Sequence, residues 1–147
     1  MKLSTRVRYG LRALTELAAT GGEGPVMLDL IARRQGISRK YLDAIFARLK
    51  AGGIVTSTRG AGGGFHLARD PDTVTLLELY VTLEGPLNLV DCVSDDVRCD
   101  QKERCAAISI WRQLGKVMED YLGSLTLADV VRMKRDVEVQ ASNMFFI

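Results

Sequence analysis

The sequence has 147 residues, enough for one domain or one domain with an appendage, and its composition is that of a globular protein. Charges break its longest apolar runs within about ten residues, far short of the roughly 20 that cross a bilayer, which excludes a transmembrane helix. Arg6, Arg8 and Arg12 interrupt the N-terminal segment, so it lacks the apolar core of a secretory signal and we expect a cytoplasmic protein.

The charge is distributed unevenly along the chain. Residues 1–69 contain 12 Lys and Arg against 4 Asp and Glu, a net +8, whereas residues 70–147 contain 8 against 14, a net −6. A basic half suits a polyanion, because neutralising phosphates releases the counterions that drive nucleic-acid affinity. We therefore predict a DNA-binding domain over residues 1–70, a second region over 71–135 and a tail over 136–147.

The first predicted helix begins after Ser4 or Thr5, either of which can cap it, and runs to about Thr20. Its apolar stripe consists of Val7, Leu11, Leu14, Leu17 and Ala18. The three N-terminal arginines lie off this stripe. They are interpreted either as a phosphate clamp or as solvated surface.

The next elements are a helix, a glycine turn, a second helix and a hairpin. A short helix over residues 28–34 precedes the turn, and Ser38 can cap a second helix that begins at Arg39. The apolar positions of the second helix are Tyr41, Leu42, Ile45, Phe46 and Leu49. Two strands, at residues 54–58 and 65–68, flank a glycine-rich tip. This order predicts a mainly α fold with a small β-hairpin, a winged helix-turn-helix.

In such a module the second helix enters the major groove by its N-terminal residues, and the hairpin reaches the backbone or the minor groove. The predicted DNA-contacting residues are Ser38, Arg39, Lys40, Asp43, Arg59, Gly60, Gly62 and Gly63. Glycines without a β-carbon let the hairpin approach the sugar-phosphate wall closely, with Arg59 as its cation. The alternative is an ordinary helix and hairpin with a solvated charged face.

Thr75 and Glu78 form a capping box that opens a further helix, and Gly85 and Pro86 stop it after about Glu84. A segment without sustained period follows over residues 85–104. Connections of this length are usually functional or disordered.

A long amphipathic helix is predicted over residues 106–122, and a short final helix opens at Thr126. A small domain has little core left to cover the wide apolar stripe of the long helix. We therefore expect this helix to pair with its copy in a second subunit, the alternative being packing on its own chain. The predicted dimer-interface residues are Ile110, Leu114, Val117, Met118 and Tyr121.

The three cysteines, Cys92, Cys99 and Cys105, lie in or directly after the irregular segment. Three thiols in a chain without a secretory signal favour metal binding or redox chemistry over a disulfide framework. Their spacing, Cys-x6-Cys-x5-Cys, is neither that of common zinc sites nor that of ferredoxins. Thiolates select zinc, copper(I) or iron–sulfur clusters, so the residues alone leave the cofactor open.

Taken together, several motifs resemble the IscR/NsrR-type transcription regulators over about residues 1–135. They are Gly36-Ile37-Ser38, Tyr41-Leu42, the hairpin tip from Arg59 to Phe65, the three cysteines, Trp111 and Leu125-Thr126-Leu127. The resemblance implies a homodimeric winged-helix regulator that binds double-stranded operator DNA. Several members hold an iron–sulfur cluster through three cysteines and a fourth ligand, and other members regulate without one.

For this chain the resemblance implies a cluster on Cys92, Cys99 and Cys105, with 2Fe-2S favoured over 4Fe-4S. The first cysteine gap is one residue longer than usual, and Ile108 stands where the best-known cluster regulator has a histidine. Some relatives take an acidic ligand from the partner's first helix, where this chain has Arg8. The fourth ligand is therefore left open. It could come from a residue of the partner's first helix, from a thiol cofactor or water, or from a nearby oxygen donor, and His66 is a poor substitute. The oxygen donors are Asp91, Asp95, Asp96, Asp100 and Glu103.

Two rival functions compete with this interpretation. A regulator of the same fold without a cluster would sense through bare thiols or through a partner protein. An enzyme is not expected, because no nucleophile and base have a recognisable spacing and His66, the only histidine, lies in a predicted wing strand.

Overall fold

A computed structural model describes residues 3–20, 24–93 and 99–144 of the chain. In these ranges it contains α1 (Thr5–Ala19), α2 (Leu28–Gln35), α3 (Arg39–Ala51), β1 (Val55–Thr58), β2 (Gly64–Leu67), α4 (Leu76–Glu84), α5 (Ala106–Ser124) and α6 (Leu127–Met144). Single 3-10 turns at Pro71–Thr73 and Asp91–Val93 were not predicted. The predicted fold class, mainly helical with a small hairpin, is confirmed.

Three helices begin at the caps that the sequence predicts. The hydroxyls of Ser4, Ser38 and Thr75 each accept a hydrogen bond from the backbone N–H three residues on, at 3.2, 3.3 and 3.1 Å. Such a cap contributes about 1 kcal/mol, because it satisfies a donor that the helix leaves unpaired. Gly36, at φ +63°, forms the left-handed turn between α2 and α3.

One hydrophobic core joins residues from both sides of position 70. It contains Leu14 of α1, Phe46 of α3, Leu83 of α4 and Leu127 of α6, each no more than 1% exposed. Within the described ranges, α1 lies at the centre and contacts α2, α3, α4, α6 and β2. The domain boundary near residue 70 stays a prediction.

The hairpin is fixed against the helices by aromatic packing and by backbone pairing. β1 and β2 pair antiparallel with Val55 opposite Leu67. The Phe65 ring packs edge to face against Phe46 of α3, with the two ring centroids 4.9 Å apart. Phe65 also exchanges two 2.8 Å backbone hydrogen bonds with Val26, which precedes α2. The wing is therefore held to both helices of the helix-turn-helix.

Two arginines bind the C-terminal end of α4. Arg6 of α1 and Arg48 of α3 each donate to the Leu83 carbonyl oxygen at 3.1 Å. Cations stabilise the partially negative C-terminal end of a helix. This contact joins α4 to α1 and α3.

The last helix is longer than the short one that the sequence predicts. Thr126 and Asp129 cap it reciprocally, with the Thr126 N–H donating to Asp129 at 2.8 Å. It then continues to Met144, so the predicted tail begins inside a helix. Phe145, Phe146 and Ile147 lie outside the described residues. In the described part of the chain, every helix is too short or too polar to span a bilayer.

Candidate nucleic-acid interface and cysteine segment

The start of α3 presents polar side chains to solvent, while the opposite face is buried. The buried residues are Leu42, Ile45, Phe46 and Leu49. Arg39, Lys40 and Asp43, predicted to contact DNA, lie on the exposed side, together with the capping residue Ser38. A major groove could therefore be approached by these four residues without disturbing the core.

Arg39 is paired within the chain. Its guanidinium donates to Asp29 at 2.6 Å and to Asp43 at 3.1 Å, and the hydrogen bond to Asp29 is the main cause that raises the pKa of Arg39. Asp29 lies in the first turn of α2, and the sequence analysis did not single it out. No local signal connects it with Arg39, because the two meet only when α2 packs across α3.

Three of the four glycines at the wing tip are required by the fold itself. Gly60 has φ +109°, a conformation that L side chains rarely adopt. A β-carbon on Gly63 or Gly64 would lie 2.4 or 2.5 Å from a backbone carbonyl oxygen. A β-carbon on Gly62 would meet no described atom within 4 Å. Gly62 is thus the tip glycine whose missing side chain the fold does not explain.

Two of the three N-terminal arginines hold the fold. Arg6 bonds to the end of α4 and lies 3.3 Å from Glu84. Arg12 donates to the side-chain oxygen of Gln35 at 3.1 Å. Arg8 is exposed and remains available to a phosphate. The sequence left two roles open for these arginines, a phosphate clamp and solvated surface. Arg6 and Arg12 have a third role, holding the fold, which depends on partners distant in the sequence.

The apolar face of α5 is uncovered in the single chain. Ile110, Leu114, Val117 and Tyr121 are 59, 41, 63 and 64% exposed, and Met118 is half-buried. These residues follow one another at three- and four-residue steps, so they form a continuous stripe. Exposed apolar stripes of this kind mark surfaces that bind another protein.

The three cysteines are free thiols and each is half-buried. Cys92 lies in the 3-10 turn, Cys99 lies where the described chain resumes, and Cys105 directly precedes α5. Among the described residues, no three His, Cys, Asp or Glu side chains are close enough together to hold a metal ion. The donor chemistry of three thiols fits an iron–sulfur cluster, although these thiols are not gathered into one site here.

The candidates for a fourth ligand are scattered over the same region. Ile108 is only 8% exposed, so its apolar side chain is buried. Asp91, Asp100 and Glu103 are exposed. Outside this region, His66 on the hairpin is exposed, and so is Arg8 on α1, which stands where some relatives have an acidic ligand. Asp95 and Asp96 lie outside the described residues.

Comparison with known proteins identifies the family. Residues 3–133 match the family model of Rrf2, an iron-dependent transcriptional regulator. Protein Rrf2 of Nitratidesulfovibrio vulgaris (strain Hildenborough) is 39% identical over 132 residues, which cover 90% of this chain and 88% of that protein.

Solved structures agree with this assignment. IscR of T. potens has a TM-score of 0.77 and 36% identity, over 93% of this chain and 90% of that chain. CymR, the global cysteine regulator of B. subtilis, has a TM-score of 0.75 and 35% identity, over 90% of this chain and 98% of that chain. These matches confirm the resemblance drawn from the motifs and the expectation of a regulator rather than an enzyme. The chain belongs to the Rrf2 family of transcriptional regulators.

Proposed function

We propose that this DNA-binding regulator acts as a homodimer in the cytoplasm and that an iron–sulfur cluster on Cys92, Cys99 and Cys105 controls its DNA affinity. One arrangement carries the proposal: three free thiols lie in the segment that leads into a helix with an uncovered apolar face, in a chain whose other half is a basic winged helix-turn-helix. A cluster on these thiols would lie next to α5, the proposed dimer helix, and could therefore affect its position.

DNA contact is assigned to the exposed start of α3 and to the wing. Arg39 and Asp43 face base edges in the major groove, and Lys40 is available to phosphate. Arg59 and Gly62, both exposed, reach the backbone or the minor groove. Base contacts specify the operator, whereas phosphate contacts hold the protein in register.

The dimer is assigned to the stripe of α5. A two-fold pairing brings the same residues of both subunits together and removes Val117 and Tyr121, among others, from water. Each subunit then presents one α3 to one half-site, about 34 to 36 Å from the other when the half-sites are one helical turn apart. Sequence-specific binding therefore depends on the dimer.

The cluster assignment is supported by the donor set and by the iron dependence in the family description. When bound, a 2Fe-2S cluster would supply a centre that changes with redox state and reacts with small molecules. Ile108 has no donor atom, so the fourth position is left to an oxygen ligand, a thiol cofactor or water. Such a ligand binds more weakly than histidine, and we expect a labile, oxygen-sensitive cluster.

A second function fits the same fold. The similarity to CymR is about as strong as that to IscR, at 35% and 36% identity. The described residues also contain no assembled group of three metal-ligating side chains. Sensing through bare thiols or through a docked partner protein is therefore the alternative.

Anaerobic purification distinguishes the two. We expect the wild type to absorb in the visible range and to contain iron and acid-labile sulfide. Cys92→Ser, Cys99→Ser and Cys105→Ser should each lose the absorbance and remain dimeric in sedimentation. A colourless, iron-free wild type would support the thiol or partner-protein alternative, and a variant with unchanged iron and spectrum would remove that thiol from the site.

A further inference from the structure

Glu16 is the one charged residue that is buried within the described part of the chain. Its carboxylate accepts hydrogen bonds from Arg34 at 2.8 Å and from Gln35 at 3.2 Å, both at the end of α2. It also accepts one from Lys134 of α6 at 2.7 Å. A single buried carboxylate thus connects α1, α2 and α6.

One end of this connection lies at the turn that leads into α3, the proposed recognition helix. Gln35 is the last residue of α2, and Gly36 makes the turn into α3. Arg12 of α1 holds Gln35 from another side, with its Nε donating to the amide oxygen at 3.1 Å. The turn between the two helices of the DNA-binding module is therefore anchored to α1 by polar contacts on both sides.

The other end lies on the helix that follows the proposed dimer helix. α6 begins just after α5, where the Leu127 N–H donates to the Val74 carbonyl oxygen at 2.9 Å. Lys134 lies near the middle of α6, and its side chain is 30% exposed. Substituting Lys134 would leave Glu16 paired with Arg34 and Gln35, so the buried charge would keep partners while α6 would lose its ionic contact with Glu16 of α1.

We propose that Lys134 and Glu16 are positioning residues for DNA recognition: their ion pair fixes the helix-turn-helix relative to α6 and so sets the separation of the two recognition helices. This inference rests on the proposed homodimer. A dimer held rigidly in this way discriminates between operators by half-site spacing, and a dimer without the pair tolerates a change in spacing.

The test uses a DNA duplex selected by the wild-type protein from a random-sequence library. Affinities are measured for this duplex, for the same duplex with one base pair inserted between the half-sites, and for a scrambled duplex. The variants are Lys134→Met, the conservative Lys134→Arg, and the control Arg135→Met, which removes the same charge from an exposed neighbouring position. Sedimentation and circular dichroism monitor the dimer and the fold.

We expect Lys134→Met to bind the selected duplex about tenfold more weakly than Arg135→Met, with equal binding to the scrambled duplex. The inserted base pair should weaken DNA binding by the wild type about tenfold and DNA binding by Lys134→Met only about twofold. Lys134→Arg should behave like the wild type. Should Lys134→Met not fold, Lys134→Gln, with a neutral donor, is judged by the same three affinities.

If the wild type is a dimer, two results would overturn the inference. One is a neutral variant, Lys134→Met or Lys134→Gln, that folds and keeps the full penalty for the inserted base pair. The other is an equal loss on the selected and scrambled duplexes, because that would assign Lys134 a purely electrostatic role. A monomeric wild type would instead contradict the proposed homodimer and this inference together.

Discussion

Arg39, the first residue of the recognition helix, donates to Asp29 of α2 at 2.6 Å, although both side chains are exposed, by 44% and 60%. An exposed ion pair of this kind contributes at most about 1 kcal/mol to stability. Its main effect is on the charge of the surface that we propose to face DNA. Asp29 neutralises a cation that we assign to the major groove.

Asp29→Asn should therefore strengthen DNA binding several-fold at low salt, for specific and random duplexes alike. The substitution removes a negative charge from the proposed interface and frees donors of Arg39, so the dependence of affinity on salt should become steeper. Titrations at three salt concentrations measure both effects. Asp136→Asn, an exposed acid on α6, is the control for net charge. Unchanged affinity in Asp29→Asn would place Arg39 outside the DNA interface.

Gly62 and Gly64 provide a matched pair on the wing. Gly62→Ala should leave the thermal unfolding midpoint unchanged, because its β-carbon would meet no described atom within 4 Å, and should weaken operator binding by crowding the backbone of the DNA. Gly64→Ala should lower the midpoint, since its β-carbon would lie 2.5 Å from the Val26 carbonyl oxygen. Full operator affinity in Gly62→Ala would show that the wing tip stays away from the DNA.

Leu114→Glu tests the dimer. It would place two charges in an apolar seam without partners, so we expect monomers in sedimentation and loss of specific DNA binding, while random-duplex binding persists. Gln113→Glu adds the same charge to an adjacent exposed position of α5 and should remain dimeric. A dimeric Leu114→Glu would move the interface to another surface.

Stability should depend on pH through Glu16. Burial raises the pKa of its carboxyl, but hydrogen bonds from Lys134 and Arg34 outweigh burial, so the pKa lies below the ordinary value. A carboxyl with a lowered folded-state pKa stabilises the fold above its unfolded-state pKa, and this stabilisation is lost as the pH falls through the folded-state value.

Urea unfolding of the wild type and of Glu16→Gln at about pH 7 and about pH 3 measures this effect. The wild type should be the more stable protein at neutral pH, and the difference should shrink in acid. Glu138→Gln, which removes an exposed carboxylate 3.7 Å from Lys134, is the control for net charge. A difference that stays constant with pH would mean that Glu16 does not titrate with folding.

The sequence by itself determined the order of elements and the fold class. Ser4, Ser38 and Thr75 mark helix starts, and Gly36 marks the turn, because each acts on backbone groups within a few residues of itself. The buried face of α3 is likewise encoded by spacing along a single helix. These are local interactions, so a correct prediction of them needs no knowledge of distant contacts.

Only the tertiary structure decided the partners of the charged residues. The sequence predicts that Arg39 contacts DNA and leaves Arg6 and Arg12 open between a phosphate clamp and solvated surface, yet each pairs with a group brought close by helix packing. Glu16 and Lys134 lie 118 residues apart, and no periodicity connects positions at that separation. A charged side chain bonds to the polar groups that lie within about 3 Å of it, and which groups lie that close depends on how the helices pack in the whole fold.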